Sequence, residues 1–143
     1  VPENYKLEKA EDYATYEQDA LNCIDWLMST PINEQKAKRE EATAFLLKWL
    51  IGSPDVSIEL NADIITFVES SPDLVIIFLG GWAKYSMQTK DFENKIAGSM
   101  AGIEAVIAFY TSNSEFLPKD KNIEKYIKMK ESGKLKDYIE KKA

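Results

Sequence analysis

Residues 71–88, SPDLVIIFLGGWAKYSMQ, decide the fold of this chain. Serine before proline and an acid is a helix-start pattern, because serine caps the helix, proline suits the first turn, and the acid faces the positive end of the helix dipole. From Leu74 onwards, apolar side chains surround most of the circumference, and the polar residues gather at the two ends. Because a helix that is apolar on nearly every side belongs in the interior, the stretch predicts a central helix over about 73–88.

A buried strand is the competing interpretation of the same stretch. Residues 75–78, VIIF, are apolar and are followed by the glycines at 80–81, which suits a strand of an α/β fold. Length favours the helix, because apolar character continues to Ala83 and residues 84–88 contain no turn signal. We therefore expect an all-α fold, a compact and mainly antiparallel bundle of six to seven helices.

A second central helix is predicted over about 94–112, NKIAGSMAGIEAVIAFYTS, where small residues recur at four-residue steps around Gly98 and Gly102. A glycine inside a helix costs about 1 kcal/mol relative to alanine. Close packing of this face against the glycines at 80–81 would explain the cost in both helices. The alternative is a self-association face, and hence a homodimer.

The other predicted helices are recognised by apolar residues at three- and four-residue steps: about 9–28, about 33–51 with Asn33 as N-cap, about 61–69, and two short amphipathic helices within 119–143. A short strand competes over 56–60, where apolar and polar residues alternate. We interpret 1–143 as a single helical domain. Residues 1–8 form a frayed lead-in, and the lysine-rich C-terminal pair packs on the body.

Histidine is missing from all 143 residues, and Cys23 is the one cysteine. The chain therefore lacks the side chain that most often serves as a general base and metal ligand near neutral pH. We predict no catalytic residues, no metal and no cofactor, and the chain is more consistent with a binding protein than with an enzyme. Cys23 lies on the apolar face of the first helix, where a buried, inert thiol is expected.

Charge is distributed unevenly along the chain. Residues 119–143 contain nine lysines and five acids, a net charge of +4, so the overall charge of −6 leaves −10 for residues 1–118. The acidic balance argues against nucleic acid, and no apolar run approaches the ~20 residues of a membrane span. We expect a protein partner, with the predicted interaction surface formed by Tyr126, Lys128, Lys134 and Tyr138. Because a lysine-tyrosine pattern also serves to dock short helices on a domain, docking is the simpler alternative.

Glu104 is the most unusual single residue, since its helical neighbours are small or apolar. We expect a buried carboxylate, paired with donors on the neighbouring central helix: Trp82, Lys84 and Tyr85. Together with Glu104 these residues form the candidate ligand-binding site. The alternatives for Glu104 are partial exposure on a rim and a catalytic carboxylate.

The predicted function is a non-catalytic helical interaction or structural domain. One alternative is a module that binds a small apolar or amphipathic ligand between its helices, and a second is a carboxylate-based enzyme. The first residue is Val1 rather than methionine. This favours an exported protein that has lost a leader, whether periplasmic or secreted, over a cytoplasmic one.

Overall fold

The computed structural model describes residues 1–67 and 71–142, and seven helices occur in these ranges. They are α1 (Ala10–Thr15), α2 (Glu17–Ser29), α3 (Lys36–Gly52), α4 (Pro72–Thr89), α5 (Lys95–Ser112), α6 (Lys121–Glu131) and α7 (Leu135–Lys142). No strand occurs in the same ranges, so the all-α prediction is confirmed and the α/β alternative is wrong. No helix there combines the length and the apolar character that a membrane span requires.

Helices α4 and α5 form the centre of the bundle, as the sequence predicts. The short connection 90–94 turns the chain back on itself, and the Asn94 side chain caps α5 by accepting the Ala97 N–H at 3.0 Å. Helices α2 and α3 pack against α4, whereas α6 and α7 pack against α5. The lysine-bearing C-terminal helices therefore lie on the outer side of the core.

The contact between α4 and α5 depends on glycine. A Cβ atom built on Gly81 would lie 2.7 Å from the Cβ of Ala105 and 2.8 Å from the carbonyl oxygen of Ala101. A Cβ atom on Gly102 would lie 2.6 Å from the Phe78 ring and 3.0 Å from the Phe78 carbonyl oxygen. The predicted close packing of glycines at this junction is therefore confirmed.

Two details of the glycine prediction need correction. Gly80 does not face α5; its nearest neighbour outside α4 is the Ile24 side chain of α2. Gly98 and Gly102 are covered by the Trp82 and Phe78 side chains of the same chain, so this face is not free for a second copy. Whether the protein forms a homodimer through another surface stays a prediction.

The N-terminal lead-in contacts the body of the domain through Tyr5 and Leu7. Leu7 is buried, and the Tyr5 ring meets the Phe45 ring edge-on with 4.8 Å between centroids. The Asp12 carboxylate accepts the N–H groups of residues 8 and 9 at 3.0 and 2.9 Å, which lowers the pKa of Asp12. These contacts fix the entry to α1.

The helix predicted over 9–28 is divided in two, because Tyr16 leaves helical geometry between α1 and α2. Helix α3 begins at Lys36, so Asn33 is not its N-cap. A turn comes first, in which the Glu34 N–H donates to the Pro31 carbonyl oxygen at 3.0 Å. This turn delays the start of α3 relative to the prediction.

The helix expected over 61–69 is wrong for residues 61–67, which form turns, and residues 68–69 lie outside the described ranges. The Asn61 side-chain oxygen accepts the Asp63 N–H at 2.9 Å, and this bond competes with a helix. Residues 56–60 form no strand either. Ile64, Ile65 and Phe67 are nevertheless buried, so this segment contributes to the core without regular structure.

Helices α6 and α7 pin the 61–67 segment through side-chain hydrogen bonds. The Tyr126 hydroxyl donates to the Ile64 carbonyl oxygen at 2.6 Å, and the Asn122 amide donates to the Thr66 carbonyl oxygen at 2.8 Å. From the other side, the Asn61 amide donates to the Lys142 carbonyl oxygen at 2.8 Å. Backbone groups that lack helical partners are satisfied in this way.

The substitution Tyr126→Phe is expected to lower the free energy of unfolding by about 1–2 kcal/mol near neutral pH, because a buried carbonyl loses its donor. Burial raises the pKa of Tyr126 to about 12, from an ordinary value of 10.0. At a pH between 10.0 and about 12, the Tyr126 hydroxyl loses its proton in the unfolded chain and keeps it in the native protein. The stabilising contribution of the hydroxyl is therefore complete below the lower value and is lost as the pH rises towards the upper one.

Urea denaturation of both proteins near neutral pH and at about pH 11 tests this dependence. The difference in stability between wild type and Tyr126→Phe should narrow at the higher pH. A difference that stays constant would contradict the buried, protonated hydroxyl.

Candidate functional sites

The four residues of the candidate ligand-binding site do not converge. Trp82 is buried and lines one cleft, whereas Tyr85 and Glu104 line another. Lys84 lines neither of these clefts. Its ammonium pairs with the Asp25 carboxylate of α2 at 2.5 Å. The clefts described here do not bring all four residues together, and ligand binding by this set stays a prediction.

Glu104 is exposed, so the expected buried carboxylate pair is wrong. The carboxylate lies on a cleft of about 520 Å³ with Tyr85 of α4 and with Lys136 and Glu140 of α7. The Tyr85 hydroxyl donates to the Asp91 carboxylate at 2.8 Å, a bond that raises the pKa of Tyr85. The Glu104 neighbours Ala97, Met100 and Ala101 line the same cleft, so this side of α5 is open to solvent.

The predicted interaction surface loses its aromatic part. Tyr126 is buried, with its hydroxyl directed into the fold. The Tyr138 ring is half-buried, and the ammonium groups of Lys125 and Lys142 lie 5.2 and 5.6 Å from its centroid. The tyrosines therefore dock the helices on the body. The exposed residues of the predicted set are the lysines, at positions 128 and 134.

A group of lysines on α6 and in the connection before it forms a strongly charged hollow on the described surface. Its four lysines, here called the lysine face, surround a hollow of about 620 Å³ and are Lys119, Lys121, Lys125 and Lys128. Positions 121, 125 and 128 share one side of the helix through their spacing. Ile123 and Tyr126 occupy the opposite, buried side. Packing of α6 on the core thus fixes the lysines outward.

Few carboxylates neutralise the positive charge of the lysine face. In the described ranges, none of its four lysines takes part in an ion pair. Glu124 also lines the hollow, and its carboxylate accepts the Tyr110 hydroxyl at 3.3 Å. Tyr110 in turn accepts the Asp120 N–H at 3.0 Å, and burial raises the pKa of Tyr110. Glu124 is therefore engaged with α5, and Asp120, which lies between Lys119 and Lys121, caps α6 by accepting the N–H groups of residues 122 and 123.

Sequence reasoning missed most of the lysine face. It singled out Lys128 for its proximity to the repeated tyrosines, and left out positions 119, 121 and 125. The signal was present, since 121, 125 and 128 have helical spacing and face away from Ile123 and Tyr126. Attention to the charged side of the helix would have found them.

The acidic side chains and Cys23 are the residues that could bind a metal ion or supply a reactive thiol. In residues 1–67 and 71–142, no group of three or more acidic or cysteine side chains is placed to hold a metal ion. The Cys23 thiol is buried on α2, and burial raises the pKa of Cys23. A raised pKa disfavours the reactive thiolate.

Comparison of this chain with protein-family models, with curated proteins and with solved structures gives no match. Function is therefore inferred from the side chains and their surroundings.

Proposed function

We propose that this chain is a non-catalytic protein-interaction domain whose lysine face binds an acidic segment of a partner protein. The observation that carries the proposal is the convergence of four lysines on one hollow, with no ion pair to any of them in the described part of the chain. The exposed lysines at positions 90, 95 and 136 do have carboxylate partners; Lys95, for example, pairs with Glu59 at 2.7 Å.

Repulsion between the lysines of the lysine face favours the binding of carboxylates. Like charges four residues apart on a helix destabilise it by about 0.2–0.5 kcal/mol. An acidic segment would remove this repulsion and form charge-assisted hydrogen bonds with the ammonium groups. Helix α6 is a rigid support for such contacts, because Ile123 and Tyr126 anchor it in the core.

An acidic protein suits this surface better than a nucleic acid. Residues 1–118 carry a net charge of −10, which repels a long phosphate backbone around the basic hollow. Single-stranded nucleic acids also need aromatic side chains for stacking. Tyr126 is buried and Tyr138 is flanked by two lysines, so neither offers an open ring face.

Binding of a fluorescein-labelled oligoglutamate peptide tests the proposal. A peptide of about eight residues spans about 26 Å when extended, enough to cover the ~16 Å length of α6. We expect the combined substitutions Lys121→Gln, Lys125→Gln and Lys128→Gln to weaken binding about tenfold in fluorescence anisotropy. Affinity should also fall as salt rises from about 50 to about 300 mM, because the Debye length shortens.

The matched control removes the same charge elsewhere, through glutamine at the exposed lysines 36, 38 and 48 of α3. This variant should bind oligoglutamate almost as well as wild type. Equal losses in the two triple variants would show that only net charge matters and would overturn the proposal. Tighter binding of an oligothymidylate than of oligoglutamate would reject a protein partner in favour of nucleic acid.

A further inference from the structure

A cleft of about 790 Å³, here called the Trp82 cleft, lies between segment 54–59, residues 92–95 and Trp82 of α4. It is separate from the lysine face, and no residue lines both. We propose that the Trp82 cleft binds an organic cation, an ammonium compound that also carries a hydrogen-bond acceptor oxygen.

Trp82 lines the cleft, and the indole ring, including its nitrogen, packs against Gly98 of α5. Trp82 is 3% exposed, and its N–H donates to no acceptor in the described part of the chain. By contrast, the Trp49 indole donates to the Tyr13 carbonyl oxygen at 2.9 Å. The fully enclosed side-chain atoms without partners in these ranges are Arg39 Nε and Ser86 Oγ, so the Trp82 N–H is not sealed in. Since a buried indole N–H usually has a partner, a ligand oxygen would complete it.

The charges around the cleft favour a cation. Asp55, Glu59 and Glu93 contribute carboxylates, against the single ammonium of Lys95. In the described ranges no three acids are placed to hold a metal ion, so the negative charge is spread over a larger volume. The half-buried Phe92 ring adds an apolar wall. Spread carboxylates beside an accessible aromatic ring suit an organic ammonium ion better than a metal.

The Lys95 ammonium occupies the place that the ligand's cation would take. It lies 2.7 Å from the Glu59 carboxylate, and the side chains of Lys95 and Glu59 are 67% and 45% exposed. A bound ammonium would therefore compete with Lys95 for Glu59. Removing Lys95 should tighten binding, whereas removing the charge of Glu59 should weaken it.

Acetylcholine is a suitable probe, because it combines a quaternary ammonium with an ester carbonyl. Its neutral isostere 3,3-dimethylbutyl acetate keeps the shape and the carbonyl and lacks the charge. The readout is the ¹H–¹⁵N signal of the Trp82 indole, identified among the three tryptophans by its loss in Trp82→Phe. We expect acetylcholine to shift this signal saturably at concentrations of about 1–20 mM, and the neutral isostere to leave it unchanged.

Two variants change the affinity in opposite directions. Lys95→Gln should tighten acetylcholine binding about two- to fivefold, and Glu59→Gln should weaken it by a similar factor. The matched controls are Lys136→Gln and Glu140→Gln, which remove the same charges from an exposed pair on α7. These controls should leave the affinity unchanged.

The opposite response of the two cleft variants separates a binding role from a structural one, since loss of a structural pair would weaken binding in both. The proposal is overturned if the Trp82 signal does not saturate, if the neutral isostere shifts it equally, or if Lys95→Gln fails to tighten binding.

Discussion

The substitution Gly81→Ala is expected to lower the free energy of unfolding by about 2 kcal/mol, and Gly80→Ala is expected to leave it unchanged or to raise it by up to about 1 kcal/mol. Both changes add one methyl group to the same helix, and both gain the same helix propensity. The difference lies in what the new Cβ atom meets.

At Gly81 the obstacle cannot move independently of α5. The added Cβ would lie 2.7 Å from the Ala105 Cβ and 2.8 Å from the Ala101 carbonyl oxygen, so the two central helices must separate. At Gly80 the nearest atom is a methyl carbon of the Ile24 side chain at 3.2 Å, which can give by a few tenths of an ångström. Separation of α4 from α5 loosens the core, because α2, α3, α6 and α7 all pack on this pair.

Thermal unfolding followed by circular dichroism measures both variants directly. A loss of about 2 kcal/mol corresponds to a fall in Tm of about 8 °C for a domain of this size. Equal melting temperatures for the two alanine variants would show that the helices adapt freely, and would contradict the close glycine contact.

The sequence predicts the centre of this fold because the residue pattern there fits only one environment, the protein interior. Helix α4 is apolar around most of its circumference, and α5 pairs small residues with a strong run of apolar ones. Only a buried position satisfies such surfaces. The C-terminal helices are also predictable, since Ser132 and Gly133 stop α6 and Gly133 adopts a φ of +73°.

The 61–67 segment shows where sequence reasoning fails. Ile64, Ile65 and Phe67 have a spacing that suits a helix, and all three are buried. The partner that holds them is Tyr126, 62 positions from Ile64 in the chain. No local pattern contains that contact, so the tertiary structure overrides the local propensity.

The sequence also does not predict which charged residues are exposed and which are buried. Glu104 has apolar neighbours and yet is exposed, whereas Arg39 stands in a charged run at 36–41 and is buried. Periodicity assigns a residue to a side of its helix, but which sides are covered depends on the neighbouring helices. The same limit applies to the Trp82 cleft, whose wall at 54–59 has no regular structure.

Arg39, the one arginine of the chain, connects the end of α2 to the core. It is 5% exposed, and its Nη2 donates to the carbonyl oxygens of Leu27 at 3.2 Å and Thr30 at 2.5 Å. These carbonyls lie at the C-terminal end of α2, where helical partners run out. The guanidinium also lies between two rings, 5.8 Å from the centroid of Trp26 and 5.5 Å from that of Phe109.

Burial lowers the pKa of Arg39, and its Nε has no hydrogen-bond partner in the described ranges. The cation is therefore held by two carbonyl dipoles and two aromatic faces, and its nearest electrostatic support from a carboxylate comes from Asp73. Such an arrangement is costly to build. It remains favourable because it satisfies the end of a helix and fills the space between α2, α3 and α5.

The substitution Arg39→Ala is expected to lower the free energy of unfolding by about 3–4 kcal/mol, since it leaves buried carbonyls without donors and opens a cavity between the rings. Lys38→Ala is the control, because Lys38 is exposed and its ammonium lies 5.1 Å from the centroid of the same Trp26 ring. That change should cost less than about 0.5 kcal/mol.

Arg39→Met separates the two causes of the loss, because methionine fills much of the volume and donates no hydrogen bond. We expect a loss of about 2 kcal/mol for Arg39→Met, between the values for Arg39→Ala and wild type. Urea denaturation of the three variants and wild type gives all the values on one scale. If Arg39→Ala costs no more than Lys38→Ala, the guanidinium does not stabilise the end of α2. If Arg39→Met is as stable as wild type, filling the space between the rings is its main contribution, and the two carbonyls are solvated without it.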